Sequence, residues 1–173
     1  MSSKENKKGQ SPVGGNDTLL LGGGLGRGLG KVLFPGSFDP FTLGHADIVK
    51  RALGLFDEVV VAVGYNEQKK GWLSVEERVS KIRELYADEP RITVESYTGL
   101  TVDFARKCGA KAIIRGIRTT ADFEYEVQMA DVNRQLSGIE TILLPASPQF
   151  ASLSSTVCRE LAHFHHDISE FLP

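Results

Sequence analysis

The sequence predicts a single α/β domain in which five parallel strands form an open sheet with helices on both faces. Short β-branched runs such as Glu58 to Tyr65 are apolar almost throughout, which is typical of parallel strands covered on both faces. These runs alternate with segments whose apolar residues recur every three or four positions, as in amphipathic helices. Parallel strands joined through helices wind right-handedly, so the pattern indicates a Rossmann-like, doubly wound sheet.

The first strand is the apolar run Val32 to Phe34, and it should end at the turn Pro35-Gly36. A helical pattern begins at His45. The remaining strands are predicted, in order, at Glu58–Tyr65, Arg91–Tyr97, Lys111–Arg115 and Ile139–Leu144. The remaining helices are predicted at Ser74–Tyr86, Thr101–Cys108, Thr119–Leu136 and Ser154–His163.

Two helices carry further signals. Ser74 and Glu77 have the spacing of a capping box and predict the start of the second helix. The fourth helix bears an apolar stripe that favours burial in the core or in a subunit interface over a cofactor pocket. The stripe consists of Tyr125, Met129, Val132 and Leu136.

The chain has 173 residues, which suits one domain, predicted here at 31–173. Residues 1–30 are glycine-rich, lack periodicity and are interpreted as a disordered leader or an added segment. Their glycines precede the first strand and do not fit G-x-G-x-x-G, so no dinucleotide site is predicted there. The net charge of -2 argues against a nucleic-acid or membrane-surface partner.

The two cysteines, Cys108 and Cys158, have no C-x-x-C spacing, and no secretory leader precedes them. No apolar run approaches the roughly 20 residues that a membrane span needs. We therefore expect a protein of the reducing cytoplasm.

The residues that follow the five strands should converge, because ligands bind beyond the carboxyl ends of strands in such sheets. Most of them are hydrogen-bond donors, and several are cations, which indicates a site for several phosphates. They are Ser37, Phe38, Thr42 and His45, then Lys69 and Lys70, then Gly99 to Thr101, then Arg115 and Arg118, and finally Phe150 to Thr156.

The chain lacks a G-x-x-x-x-G-K-[ST] loop, a G-x-S-x-G elbow and an acid cluster with metal-ligand spacing. The expected chemistry is therefore the positioning of phosphoryl groups and the neutralisation of their charge. The position of His45, at a helix start after a glycine turn, favours a functional role over a purely structural one. Arg115 follows an apolar strand, which predicts a ligand or an acid partner. Glu126 alone would be a surface charge, and Lys69 could be a solvated loop residue.

Three motifs match a known family. The run from Pro35 to His45 resembles the first signature of T/H-x-G-H nucleotidyltransferases. Arg115 to Arg118, together with Asp122 to Glu126, resembles the stretch that distinguishes bacterial phosphopantetheine adenylyltransferases. Leu153 to Glu160 is similar to their final I-S-S-S-x-x-R-E signature. The similarity extends from about Lys31 to the end of the chain.

The resemblance implies transfer of AMP from ATP to 4'-phosphopantetheine with Mg2+, giving dephospho-CoA and pyrophosphate. It also implies a homohexamer inhibited by CoA. His45 would stabilise the transition state, with Lys69 and Arg118 as further catalytic residues. Phosphopantetheine would contact Ser37, Lys69, Thr101 and Arg115. ATP would contact Ser37, Phe38, His45, Gly116, Ile117, Arg118, Glu126, Phe150, Ala151, Ser152, Leu153, Ser154, Ser155 and Thr156.

Two alternatives stay open. One is another T/H-x-G-H nucleotidyltransferase, such as a cytidylyltransferase or a nicotinamide-nucleotide adenylyltransferase. The other is a non-catalytic nucleotide- or CoA-binding module. Ser37 stands where many members of the family have Thr, and Leu153 and Thr156 replace Ile and Ser of the last signature, each keeping its chemical type.

Overall fold

A computed structural model describes residues 28–66, 68 and 70–173. The prediction of a disordered leader falls almost entirely outside these residues, and so does every prediction on Lys69. Within the described part of the chain, no helix is both long and apolar enough to cross a membrane.

Strands and helices alternate as the sequence predicts. The strands are β1 (Lys31–Gly36), β2 (Glu58–Gly64), β3 (Ile92–Tyr97), β4 (Ala112–Ile117) and β5 (Glu140–Pro145). The α-helices are α1 (Leu43–Ala52), α2 (Val75–Leu85), α3 (Thr101–Cys108), α4 (Thr120–Ser137) and α5 (Ser155–His163). Short 3-10 turns lie at Pro148–Phe150 and Ser169–Phe171.

The five strands form one parallel sheet in the order β3-β2-β1-β4-β5. Strand β1 lies at the centre, with Phe34 opposite Val61 of β2 and Leu33 opposite Ile113 of β4. The chain moves outward from β1 to β3 and then returns to add β4 and β5 on the other side. The order therefore reverses beside β1, which is where doubly wound sheets bind ligands.

Alternate residues of the central strands point to opposite faces of the sheet and pack into two separate hydrophobic cores. Val59, Val61 and Val63 of β2 point into the core beneath α1 and α2, while Val60 and Ala62 point toward α3. Both faces of the sheet are thus covered, which explains why β2 is apolar without alternation. The predicted fold class is confirmed.

Three predicted boundaries are wrong by two residues. Strand β1 runs through Pro35 and Gly36 because its ladder with β2 continues to Val63. Strand β4 likewise continues to Ile117, opposite Pro145 of β5. Helix α1 begins at Leu43 and not at His45, because Thr42 is its N-cap and its backbone N–H bonds to the His45 ring.

Candidate active site

A cleft of about 300 Å³ opens at the carboxyl ends of β1 and β4. The first turns of α1, α4 and α5 border it, and helix N-termini present unpaired N–H groups and a positive dipole end. Its lining comprises Phe34, Pro35, Gly36, Ser37, Phe38, Thr42, Gly44, His45, Ile48, Arg115, Gly116, Arg118, Asp122, Glu126, Ala146, Phe150, Leu153, Ser154, Ser155, Thr156 and Arg159. The geometry suits a polyanion.

The loop between β1 and α1 holds an unusual backbone. Phe38 has φ of +48°, a left-handed value that non-glycine residues rarely adopt, and its side chain is only 2% exposed. Its ring lies against Gly36, where an added Cβ would come within 2.7 Å of the ring. Gly36 is therefore required for Phe38 to fold inward. Backbone strain of this kind is found preferentially at functional sites.

His45 lies in the first turn of α1, half-buried among aromatic rings. Its ring centroid is 5.1 Å from that of Phe38, at a right-angled orientation, and 5.4 Å from that of Phe41. Its Nδ1 accepts the Thr42 backbone N–H at 3.0 Å. In the neutral ring the proton must then be on Nε2, which leaves Nε2–H as the donor available to a ligand.

Burial, followed by the positive charges of Arg118 and Arg115, lowers the pKa of His45 to about 4. The imidazole of the free protein is therefore neutral at pH 7. It can donate a hydrogen bond to a phosphoryl oxygen without carrying a full charge.

Arg115, near the end of β4, donates three hydrogen bonds to two residues. Its Nη2 and Nε donate to the two carboxylate oxygens of Glu126 at 2.6 and 2.9 Å, and its Nη1 donates to the Pro35 carbonyl at 2.5 Å. Glu126 is buried, so this pair explains why an arginine can end an apolar strand. The sequence predicted either a ligand or an acid partner for Arg115. In the free protein the partner is an acid, Glu126.

Arg118 lies beyond the end of β4, nearer to solvent. Its Nε donates to Asp122 Oδ2 at 3.1 Å, and its Nη1 donates to the Leu153 carbonyl at 3.3 Å. Asp122 also accepts the Arg118 backbone N–H at 3.1 Å. These bonds join the β4–α4 loop to the segment that precedes α5.

The start of α5 is tied to the β1–α1 loop. Ser154 is the N-cap and accepts the Val157 N–H, while the Ser155 hydroxyl donates to the Pro40 carbonyl at 2.8 Å. Arg159 donates to the Asp39 carbonyl and to the Thr156 hydroxyl. Ser154 thus caps the helix, and Ser155 fixes its start against the β1–α1 loop.

Gly44 lines the cleft, and the fold itself does not require a glycine at this position. An added Cβ would meet Phe150 Cβ and Thr42 Oγ1 at 3.6 Å, an ordinary van der Waals distance, and the backbone there has no left-handed φ. Its N–H lies in the first turn of α1, where a ligand would approach the backbone closely.

Most of the predicted site residues lie together in the cleft. The ones that line it are Ser37, Phe38, His45, Arg115, Gly116, Arg118, Glu126, Phe150, Leu153, Ser154, Ser155 and Thr156. Ile117, Ala151 and Ser152 are in the same segments but do not line it. Thr101 does not line it either, and its hydroxyl is 2.8 Å from that of Tyr97. Their predicted contacts stay predictions, as does the role of Lys69.

Sequence reasoning did not name eight residues of the lining as site residues: Phe34, Pro35, Gly36, Gly44, Ile48, Asp122, Ala146 and Arg159. Pro35, Gly36 and Gly44 stand inside the first signature, and Asp122 and Arg159 stand inside the other two, so position within the motifs was the available signal for these five. What the sequence could not supply was a partner in a distant segment, such as the Asp39 carbonyl that accepts from Arg159.

The described cleft offers no free carboxylate. Asp122 and Glu126 are both engaged by arginines. Across residues 28–66, 68 and 70–173, no group of three or more His, Cys, Asp and Glu side chains is placed to hold a metal ion.

Solved structures agree with the fold. One is a bifunctional NMN adenylyltransferase/ADP ribose pyrophosphatase from Francisella tularensis, with a TM-score of 0.62, 17% identity and 82% of this chain covered. The present chain spans only 44% of that protein. A second is NadR protein in complex with NR, with a TM-score of 0.53 and 21% identity, covering 82% of this chain and 42% of the other. Identities this low support the fold alone.

Sequence relatives are much closer. Residues 33–161 match the family described as Cytidylyltransferase-like. A protein from Phocaeicola vulgatus named phosphopantetheine adenylyltransferase is 55% identical over 143 residues, covering 83% of this chain and 95% of the relative. A protein of the same name from Cutibacterium acnes is 52% identical over 143 residues, covering 83% and 91%. The chain therefore belongs to the phosphopantetheine adenylyltransferase family of cytidylyltransferase-like proteins.

Proposed function

We propose that this protein transfers the adenylyl group of ATP to 4'-phosphopantetheine, giving dephospho-CoA and pyrophosphate in coenzyme A biosynthesis. The observation that carries the proposal is the convergence of His45, Arg115 and Arg118 with the first turns of α1 and α5 on one cleft. Relatives at 52 to 55% identity bear the name of this activity.

The acceptor needs no general base. A phosphate monoester has a second pKa of about 6 and carries nearly two negative charges at neutral pH. One of its oxygens attacks the α-phosphorus of ATP, a new P–O bond forms, the α–β phosphoanhydride bond breaks, and pyrophosphate leaves with the electron pair. The protein must hold two anions in line and offset their repulsion, which can contribute several kcal/mol.

His45 suits the reacting phosphorus best. Its neutral ring carries the proton on Nε2, and a hydrogen bond from Nε2 to an α-phosphate oxygen strengthens as charge accumulates there. Arg118 makes two longer bonds to Asp122, at 3.1 and 3.4 Å, between side chains that are 36% and 26% exposed, and it can redirect a donor to the phosphates. ATP would lie between Ser37, Phe38, Gly116 to Arg118, Glu126 and the segment from Phe150 to Thr156.

The acceptor would contact Ser37, Arg115, Thr101 and Lys69. Arg115 has two N–H bonds left after those to Glu126 and Pro35, since a guanidinium carries five. It can therefore orient a phosphate oxygen while its own charge is balanced by Glu126.

Magnesium would arrive with ATP. Both carboxylates of the described cleft are bonded to arginines, so the donor set fits a metal held mainly by ATP phosphates. When bound, the ion would neutralise phosphate charge.

We further propose that the protein forms a homohexamer and is inhibited by CoA, as the family resemblance implies. The stripe predicted on α4 is not in the core: Tyr125 is 60%, Val132 44% and Leu136 54% exposed. A row of apolar side chains on one helix face is typical of a subunit interface. Light scattering with mass determination in solution tests the assembly.

The decisive experiment measures pyrophosphate release from ATP and phosphopantetheine, with and without Mg2+. The proposal expects release that depends on both substrates. Glycerol phosphate with CTP and nicotinamide mononucleotide with ATP serve as matched controls for the alternative nucleotidyltransferases. Binding of ATP or CoA with no pyrophosphate from any pair would instead identify a non-catalytic module.

A further inference from the structure

Asp39 is a buried carboxylate that the chemistry above does not use. It follows Phe38 in the β1–α1 loop and is only 7% exposed. Its Oδ2 accepts the Trp72 backbone N–H and its Oδ1 accepts the Leu73 backbone N–H, both at 2.8 Å. A buried carboxylate with two charge-assisted bonds to a segment 33 and 34 residues away is an anchor between loops.

The anchored segment leads into α2. Lys70 precedes Gly71 and Trp72, and Ser74 caps the helix. Buried Arg78 from the first turn of α2 reinforces the connection, since its Nη1 donates to the Ser37 carbonyl at 2.7 Å and its Nε donates to the Ser74 carbonyl at 3.2 Å. The pre-α2 segment, defined as Lys70 to Ser74, is thus held to the loop that carries Ser37.

Gly71 makes the anchor possible. A Cβ at this position would lie 2.8 Å from the Leu73 carbonyl and 3.1 Å from Asp39 Oδ2. Any larger residue would push the pre-α2 segment away from the carboxylate, even with Asp39 intact.

The main chain at Asp39 and Pro40 holds α5, whose first turn borders the cleft. The Asp39 carbonyl accepts from Arg159, and the Pro40 carbonyl accepts from Ser155, both on α5. The side chain therefore holds the pre-α2 segment, while the backbone holds α5. A substitution of the side chain can disturb the pre-α2 segment without removing these contacts to α5.

We infer that Asp39 is a positioning residue that fixes the pre-α2 segment for the acceptor substrate while α5 is fixed independently for ATP. The inference rests on the proposed function, which assigns Lys69, the residue that precedes this segment in the sequence, to phosphopantetheine and α5 to ATP. Loss of the carboxylate should therefore weaken use of the acceptor selectively.

The chain supplies a matched control. Asp57 also accepts two backbone N–H groups, from Gly28 at 2.7 Å and Gly30 at 3.0 Å, but it lies at the amino end of β2, away from the cleft. Asp39→Asn and Asp57→Asn each remove one negative charge, and each alters a carboxylate that accepts two backbone N–H groups. The chain also supplies a reporter, since Trp72 is its single tryptophan and is 48% exposed.

The experiment measures initial rates against each substrate and acrylamide quenching of Trp72 in the free proteins. For Asp39→Asn we expect the KM for phosphopantetheine to rise about tenfold, as loss of a charge-assisted bond implies. The KM for ATP should stay within about twofold of wild type, and quenching should increase. Asp57→Asn should leave all three quantities near wild type. Gly71→Ala should reproduce the selective KM change with Asp39 unaltered.

Equal kinetics for Asp39→Asn and Asp57→Asn would overturn the inference. So would an equal rise of both KM values in Asp39→Asn, or unchanged quenching of Trp72. A wild-type protein that releases no pyrophosphate would overturn the proposed function instead, and the quenching measurement would still decide whether Asp39 anchors the segment.

Discussion

Two arginine–carboxylate pairs border the same cleft, and they differ in burial and geometry. In the Arg115–Glu126 pair two bonds of 2.6 and 2.9 Å join side chains that are 32% and 9% exposed. In the Arg118–Asp122 pair the bonds are 3.1 and 3.4 Å, and the side chains are 36% and 26% exposed. The first pair is a fixed part of the fold, whereas the second can open at small cost.

Helix α4 accounts for the arrangement. Asp122 and Glu126 are four residues apart and therefore lie on one face of the helix, toward the end of β4. Glu126 binds Arg115, which lies within β4, and Asp122 binds Arg118, which lies just beyond the end of the strand. The buried Arg115–Glu126 pair thus supports the fold. The more exposed Arg118–Asp122 pair can open, which makes Arg118 available as a hydrogen-bond donor to a ligand.

Arg118→Ala should give the largest effect, because it removes the releasable cation. We expect kcat to fall by about 10²- to 10³-fold, the range for loss of one donor to developing charge. The free energy of unfolding should change by less than about 1 kcal/mol, since the pair is exposed. Steady-state kinetics and urea unfolding check both. Arg115→Ala is the matched variant, expected to raise the KM for phosphopantetheine and to destabilise the fold.

Glu126→Gln should give the next largest effect. It leaves the Arg115 charge half-buried without its acid, which costs about 3 kcal/mol of folding free energy, the lower end of the range for a broken buried pair. Urea unfolding measures this. A loss no greater than that of Asp122→Asn would contradict the distinction between the two pairs.

The pH dependence of stability tests how both arginines act on His45. Its folded pKa of about 4 lies below the value of 6.5 expected in the unfolded chain. Between these values the unfolded chain binds a proton that the folded protein does not, so stability falls as pH is lowered through this window. The stability lost across this pH range is roughly 3 to 4 kcal/mol, since each unit of pKa difference corresponds to about 1.4 kcal/mol.

His45→Asn should flatten this part of the stability curve. Arg118→Gln should raise the folded pKa of His45, so the pH range over which stability changes becomes narrower at its lower end. Arg115→Gln should do the same to a smaller extent, because Arg118 has the larger effect on the pKa of the ring. Unfolding measured at several pH values between 4 and 7 checks the sign. A slope that persists in His45→Asn would show that another group titrates there.

Asp122→Asn should have the smallest effect. The fold should change by less than about 1 kcal/mol, as for other exposed pairs. Removal of the competing carboxylate frees Arg118, so ATP should bind more tightly, by up to about fivefold. Isothermal titration with ATP measures the change, and weaker binding would indicate that Asp122 orients Arg118 more than it competes for it.

The sequence predicted the sheet well, because its signals are local. The unbroken apolar run of β2 and the capping box at Ser74 and Glu77 depend on neighbours within a few residues, and both are confirmed. The starts of α4 and α5 were within one residue of those observed. Boundaries failed at Pro35, where pairing with β2 extends the strand beyond an apparent turn.

The site was predicted as a set of residues but not as a set of contacts. Arg115 called for an acid or a ligand, yet nothing in the sequence selected Glu126, which a helical pattern alone would place on the surface. Asp39 stands inside the first signature, but nothing in the sequence indicated its partners, since Trp72 and Leu73 are far along the chain. Pairings of this kind depend on the packing of separate loops, which periodicity does not report.

The inward fold of Phe38 over Gly36 has a consequence for affinity. A loop already locked into one shape has little remaining freedom to surrender when a nucleotide arrives, so less of the gross attraction is consumed by ordering. Replacement of Gly36 by alanine would force the ring outward and return that freedom to the unliganded loop. One missing methyl group thus sets how much of the contact energy is realised as binding.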